Sequence, residues 1–327
     1  MSNTWPVIGH DWAVTHLSRA IAHGRTRHAY LVTGPDQVGK ATLARAFAQA
    51  VNCTGELPPC GGCRTCRLIM QDLHPDVSIV EAEREGGTLK IEQIRALQRT
   101  LALRPFEAHY RVAILRRFHE ARPQAADALL KTLEEPPSHA LLILTTSATD
   151  ALLPTILSRC QPLHLRPLPI NTVRQALEQH WQAAPDTAHT LAALSGGRIG
   201  WAVRALENPE ALEQRNAALD LLEQSLLGQR QQRFDQAQAL ARDKTEALQT
   251  LALWVSYWRD VMLFACGSQA VVTNVDRLDG LQDLARIVGI DAAQQALAAT
   301  RRTITHLHQN VNTRLALEVL MLDYPIP

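Results

Sequence analysis

The apolar positions in the first half of the chain fall in short continuous runs separated by stretches of helical spacing. Residues 28–33 (HAYLVT) form a β-type run that stops at Gly34 and Pro35. Beyond it Leu43, Ala44, Phe47, Ala48 and Val51 recur at helical intervals. A cysteine-rich loop follows, then a strand at Val77–Val80, a helix over about 91–103, a strand at Arg111–Leu115, a helix over 125–134 and a strand over 141–145. Residues 161–165 supply a candidate fifth strand. Strands this apolar are covered on both faces, so the pattern predicts a largely parallel five-stranded sheet between two layers of helices. Pro167 and Pro169 punctuate the chain and mark a boundary. A small helical unit is predicted over about 172–206, interrupted at Ser195, Gly196 and Gly197. After Asn208 and Pro209 the pattern is almost wholly helical, with a loop at 266–274. The expected organisation is an α/β domain at 1–168, a small helical domain at 169–208 and an all-α domain at 209–327.

Composition changes this picture little. At roughly 150 residues per domain, 327 residues accommodate two domains, or three when one is a short helical piece. Hydrophobic types at 46% and charged types at 20% are ordinary for a globular protein and remove the disordered and fibrous classes. The 33 Lys and Arg against 32 Asp and Glu leave a net charge of +1, so no global field grips nucleic acid. Contact with DNA is expected through a larger assembly. The first residues lack the charged region and apolar run of a signal peptide, and the apolar stretch at 251–266 is broken by Arg259 and Asp260. A cytoplasmic protein without membrane contact is expected.

Candidate chemistry begins after the first strand. Gly34-Pro35-Asp36-Gln37-Val38-Gly39-Lys40-Ala41 nearly matches the G-x-x-x-x-G-K-[ST] phosphate loop, with a strand before it and a helix after. Gly34 and Gly39 would let backbone N–H groups turn toward phosphate oxygens at a helix N-terminus, and Lys40 would reach the β and γ phosphates. The hydroxyl that should hold Mg²⁺ is replaced by Ala41, and Thr42 is rotated about 100° around the helix. Hydrolysis also needs an acidic residue at the end of a core strand. The strand Arg111–Leu115 is followed instead by Arg116 and Arg117, which neither accept a proton nor bind a metal. Both lesions fall on the same chemistry. The loop is expected to be a scaffold turn or a weak nucleotide site, and ATP with Mg²⁺ is expected not to be bound or not to be hydrolysed by this chain. Two guanidinium groups buried without partners would be too costly. At least one of Arg116 and Arg117 is therefore expected to form a salt bridge across the old nucleotide site, with Asp36 or Glu134 as candidate partners.

Cys53, Cys60, Cys63 and Cys66 place four thiols in one short window, 53–66. In a reducing compartment such clustering points to metal. A structural zinc is favoured, because the protein fills every position of a tetrahedral site. An iron–sulfur run and free or redox thiols are the other readings; the fourth cysteine lies upstream and no Cys-Pro follows. Cys160 and Cys266 fall outside the cluster and are expected to be buried small hydrophobes.

These residues carry a resemblance. HAYLVTGPDQVGKATLARAFAQAVNC (28–53), PCGGCRTC (59–66), HPDV (74–77), ALLKTLEEPP (128–137) and ILSRCQPLHLRPL (156–168) resemble, in order, the delta-prime family of bacterial DNA polymerase III clamp-loader subunits, which are AAA+ proteins. The resemblance covers most of the first half; the second half matches mainly in helical character. It implies an α/β AAA+ core carrying a zinc module, a small helical lid and an all-α collar. The implied setting is a five-subunit ring that opens the sliding clamp and places it on primer-template DNA. In that ring tau or gamma subunits hydrolyse ATP, while delta and a rigid, non-hydrolysing delta-prime flank them. Arg159, in Ser158-Arg159-Cys160, matches the family's arginine finger, directed in trans at a neighbouring tau or gamma ATP site. Thr145 or Thr146 matches the sensor 1 region, and Gly200 stands where an active subunit carries the sensor 2 arginine; Arg198 and Arg204 are out of register. An active AAA+ ATPase subunit and, from another class, a zinc-dependent nucleic-acid-binding module are the alternatives. No carboxylate constellation for two-metal nucleotidyl transfer is present, so polymerase activity would belong to the complex.

Overall fold

The computed structural model describes residues 5–309 and 311–325. The chain separates into two compact units on either side of the Leu168–Pro169 bond. Unit 1 runs α1 (Asp11–Ala22), β1 (Ala29–Thr33), α2 (Lys40–Asn52), α3 (Arg64–Met70), β2 (Val77–Val80), α4 (Ile91–Ala102), β3 (Arg111–Leu115), α5 (Pro123–Glu134), β4 (Ala140–Thr146), α6 (Pro154–Leu157) and β5 (Gln161–His164). All strand pairs are parallel, in the order β2-β3-β4-β1-β5. Because side chains alternate across a strand, each run feeds two cores. Tyr30, Val32, Val112, Ile114, Leu141 and Ile143 pack with α1 and α2 on one face. Ala29, Leu31, Ala113, Leu115, Leu142 and Leu144 pack with α4 and α5 on the other. The continuous apolar runs of β1, β3 and β4 thus have their physical reason in a sheet centre buried on both faces, whereas the edge strands β2 and β5 are only partly covered.

Three helices of unit 1 lie outside the sequence expectations, α1, α3 and the single turn α6. Helix α3 is seven residues long and starts at an unusual cap, Cys63, whose sulfur accepts the N–H of Cys66. The usual hydroxyl or carboxylate signal for a helix start is missing there.

Low in the sheet, at the start of β2, Asp76 is fully buried. It accepts the backbone N–H groups of Phe106, Glu107 and Ala108 at 2.8–3.0 Å and the Arg111 guanidinium at 2.9 Å. One carboxylate therefore anchors the loop between α4 and β3.

Unit 2 is all helical: α7 (Ile170–Trp181), α8 (Pro185–Leu194), α9 (Ile199–Glu207), α10 (Glu210–Leu227), α11 (Arg230–Leu240), α12 (Lys244–Ala265), α13 (Leu278–His308) and α14 (Thr313–Asp323). Helix α13 is broken at Gly289, whose φ is 72°. A core centred on Trp254, Trp258 and Leu317 joins α10 to α14. Buried Arg233 donates to the carbonyls of Leu226, Met321 and Tyr324 at 3.0–3.3 Å, so one guanidinium caps the ends of α10 and α14 together. Arg215 is likewise buried and forms paired bonds to Asp276 at 2.7 and 2.9 Å, with Asn274 beside it. Gly200 lies in the first turn of α9 and Arg204 is exposed on the same helix. Cys266 corrects an expectation: it caps α12 and is exposed, not buried, whereas Cys160 is buried. Among the described residues no helix is long and apolar enough to cross a membrane.

Candidate functional site

The phosphate loop leaves the C-terminal end of β1 and enters α2. Gly34 is required twice over: its φ is 139°, and a Cβ there would sit 2.3 Å from the Leu165 carbonyl oxygen. Gly39 caps α2 with φ 110°. Lys40 is only 9% exposed. Its Nζ donates to the Gly34 and Pro35 carbonyls, each at 2.7 Å, and to Asp36 Oδ1 at 3.3 Å. An ammonium has three hydrogens, so the loop's own acceptors engage them all. Burial pushes the Lys40 ammonium pKa below its ordinary value, against the pull of Asp36. His10, also buried, ties the loop to the start of α1 through Nε2 and the Val38 carbonyl at 3.1 Å. Ala41 contributes no side-chain oxygen.

At the C-terminal end of β3, Arg116 and Arg117 are paired, but not with the carboxylates the sequence nominated. Glu81, which follows β2, meets Arg116 Nη1 at 3.6 Å and Arg117 Nη1 at 3.2 Å. Glu120 accepts Arg117 Nε at 3.0 Å. Asp36 binds Lys40 and Glu134 binds Arg159 instead. The reason is strand order: β2 and β3 are neighbours, so the residue leaving β2 lies beside those leaving β3. Burial raises the Glu120 carboxyl pKa above its ordinary value, opposed by the Gly86 N–H and Arg117. Where an acid would hold a metal shell, the cluster presents two guanidinium groups facing carboxylates: Arg117 is hydrogen-bonded to Glu81 and Glu120, while Arg116 makes only the longer ion pair and its buried Nε has no partner.

Thr145 and Thr146 end β4, the strand between β3 and β1. Thr145 Oγ1 accepts the Arg117 backbone N–H at 3.1 Å, and Thr146 Oγ1 lies 3.2 Å from His119 Nδ1. Both hydroxyls are thus tied to the turn after β3.

Arg159 stands just before β5, at the opposite end of the sheet from Lys40. Parallel pairing sets Tyr30 beside Gln161 and Thr33 beside His164. The phosphate loop therefore leaves at the level where β5 ends, and Arg159 sits below the level where β5 begins. β5 alone spans roughly 10 Å between them. The Arg159 side chain is one-third exposed. Nη2 donates to Glu134 Oε1 at 2.7 Å, and Nη1 to the Thr155 carbonyl at 3.0 Å and Ser158 Oγ at 3.4 Å.

The four clustered cysteines come together between α2 and α3, all four sulfurs within 4.8 Å of one another. Tetrahedral ligands at a Zn–S distance of about 2.3 Å would have sulfurs roughly 3.8 Å apart, so the set can hold a metal ion with small adjustment. Gly55 permits the approach, since a Cβ there would lie 2.9 Å from Cys60 Sγ. Backbone N–H groups already point at the sulfurs: Gly55 and Cys60 donate to Cys53, and Cys63 donates to Cys60, each at 3.3 Å. The Cys63 thiol pKa is held down at about 6; burial opposes this, and the N–H groups of Cys66 and Thr54 outweigh it, whereas burial raises the Cys53 and Cys66 thiols above the ordinary value. Donors of this kind favour the thiolate that a metal requires.

Sequence reasoning missed Glu81 and Glu120 as partners of the arginines, and His10 as a brace. The only available signal for the glutamates was that each follows shortly after a strand.

The family described as DNA polymerase III, delta subunit, matches residues 9–169, and its C-terminal counterpart matches residues 209–324. The chain is similar to the DNA polymerase III subunit delta' of Bacillus subtilis, at 31% identity over 323 residues, covering 94% of this chain and 93% of that one. It is also similar to subunit tau of Escherichia coli, at 34% identity over 200 residues, covering 59% of this chain and 31% of the relative. Among solved structures, a DNA polymerase III gamma subunit-related protein of Thermotoga maritima aligns with 94% of this chain and 97% of its own at 18% identity and a TM-score of 0.37. The Thermotoga maritima RuvB branch migration motor aligns with 63% of this chain and 64% of its own at 15% identity and a TM-score of 0.40.

Proposed function

Because the chain belongs to the delta-prime family of DNA polymerase III clamp-loader subunits, we propose that it is a non-hydrolysing member of the loader and donates Arg159 in trans to the ATP site of a neighbouring tau- or gamma-type subunit. The carrying observation is the polarity of unit 1. Lys40 is bound by its own loop at one end of the sheet, while Arg159 stands partly exposed at the other. A phosphate that meets this guanidinium is supplied by another chain. There it would neutralise charge developing on the transferred phosphoryl group, an effect worth about 10³–10⁵ in rate where such fingers act.

The remaining parts take roles consistent with that reading. Gly34, Gly39, Lys40 and Thr145 keep the shape of a nucleotide site without its acids or hydroxyl, which suits a stator. Zinc on Cys53, Cys60, Cys63 and Cys66 would cross-link the segment between α2 and α3; when bound it supplies structure and no open coordination position. Residues 169–208 would act as the lid and 209–327 as the collar joining neighbouring subunits, delta among them. The sliding clamp and primer-template DNA are reached through the complex, in the cytoplasm at the replisome.

The test is the DNA- and clamp-stimulated ATPase rate of the reconstituted loader with Arg159→Ala, with assembly held constant by gel filtration. A large fall with an intact ring is expected. An unchanged rate refutes the finger and leaves a structural subunit.

A further inference from the structure

An arginine that acts across an interface must arrive in one geometry, and a long exposed side chain loses rotamer freedom in doing so. Arg159 is already held. Its three acceptors come from two elements: Glu134 closes α5, while Thr155 and Ser158 belong to α6 and its cap. All three bind Nη1 or Nη2, and the Nε–H is engaged by none of them. The backbone under Glu134 is rigid, because Leu129 and Leu133 of α5 are buried in the core, and Gln98 of α4 ties down Ala128 and Thr132. The carboxylate itself is half exposed. A pair this open adds little to stability, so its effect falls on where the guanidinium sits.

We infer that Glu134 is the positioning residue of Arg159: its carboxylate fixes part of the guanidinium so that the remaining N–H groups face the phosphate of a neighbouring chain. This rests on the finger reading above. Water screens the half-exposed carboxylate, so its repulsion of a phosphate on the far side of the guanidinium is weaker than the gain in placement.

The experiment uses the reconstituted loader with Arg159→Ala, Glu134→Ala, Glu134→Gln and the double Ala variant, each checked for intact assembly. Glu134→Ala should lower kcat for DNA-stimulated ATP hydrolysis about three- to tenfold and leave KM for ATP within about twofold, because placement acts on the transition state and not on substrate binding. Glu134→Gln, which keeps an oxygen acceptor for Nη2, should recover to within about twofold of wild type. In the Arg159→Ala background, Glu134→Ala should change nothing further, since the two residues act as one unit. A Glu134→Ala rate that is unchanged or raised overturns the inference while leaving the finger intact, provided Arg159→Ala is slow. A further fall in the double variant overturns it too, by showing that Glu134 works through the fold. A silent Arg159→Ala sinks the finger reading and the inference with it.

Discussion

Replacing Lys40 by Met distinguishes a lysine that serves a phosphate from one that serves its own loop. Met is of similar length and removes only the ammonium and its three bonds. The Gly34 carbonyl is buried, so leaving it unpaired costs about 1–3 kcal/mol. Pro35 is exposed, so water replaces its lost donor and little is added. Asp36 is 66% exposed and its contact is long, so it contributes almost nothing. Against these stands the relief of no longer burying a charge, which trims the loss. The net expectation is a destabilisation of about 2 kcal/mol, or roughly 4–8 °C in the melting of a unit this size. Calorimetry on the full chain should show it, and Asp36→Asn should stay within about 0.5 kcal/mol. The pH dependence has a defined sign. Burial places the folded Lys40 pKa below the ordinary 10.5. The penalty of burying the charge is thus full below the folded value and fades as pH rises toward 10.5, so wild-type stability gains over that window and the Met variant lacks the gain. A Met variant as stable as wild type would refute the brace. So would a wild-type melting point raised by millimolar Mg-ATP and unmoved in the variant, since that is the behaviour of a binding lysine.

Asp76→Asn should cost about 3 kcal/mol in urea unfolding, because an amide cannot accept three N–H groups and a guanidinium together. Burial alone would raise the Asp76 pKa, but the N–H groups of Glu107, Phe106 and Ala108 and the Arg111 charge hold it below the ordinary carboxylate value of 3.8. Its contribution is therefore present above about pH 4 and lost as pH falls through the depressed value, a loss the Asn variant should not show. Elemental analysis should find about one zinc per chain, retained in Cys266→Ser and lost in Cys63→Ser, and a chelator should lower the melting temperature of wild type only where zinc was present. Arg233→Met should destabilise unit 2 by about 3 kcal/mol, because buried carbonyls at two helix ends lose their donor; a loss under about 1 kcal/mol would mean that water reaches them.

The central strands were legible because a parallel sheet covered on both faces leaves no polar alternation in them. Val77–Val80 and Arg111–Leu115 stand where the apolar runs stand. The cysteine cluster was legible for a different reason, since its ligands are close in sequence and their convergence needs no knowledge of the fold. What stayed hidden depends on strand order. Arg116 and Arg117 are nearest Glu81 because β2 flanks β3, an adjacency that spacing along the chain does not encode. The pairing of Arg159 with Glu134 was hidden likewise, as it joins the end of α5 to the end of α6 across a whole strand. The exposure of Cys266 follows from α12 ending at Ala265, where Gly267 in the left-handed region closes the helix; the loop read at 266–274 marked that end, and only the general preference of cysteine for burial pointed the other way.

Arg233 also bears on the order in which the protein can be made. Its acceptors include the carbonyls of Met321 and Tyr324, so the guanidinium cannot be buried with its partners until those residues have emerged from the ribosome. The bonds, pairs and cores described for unit 1 lie on the near side of Leu168, so that unit can close while the rest is still being translated. Unit 2 must wait with a charged side chain and two open helix ends. Synthesis therefore delivers a finished α/β unit first and a helical unit that can close only once its last helix has been translated.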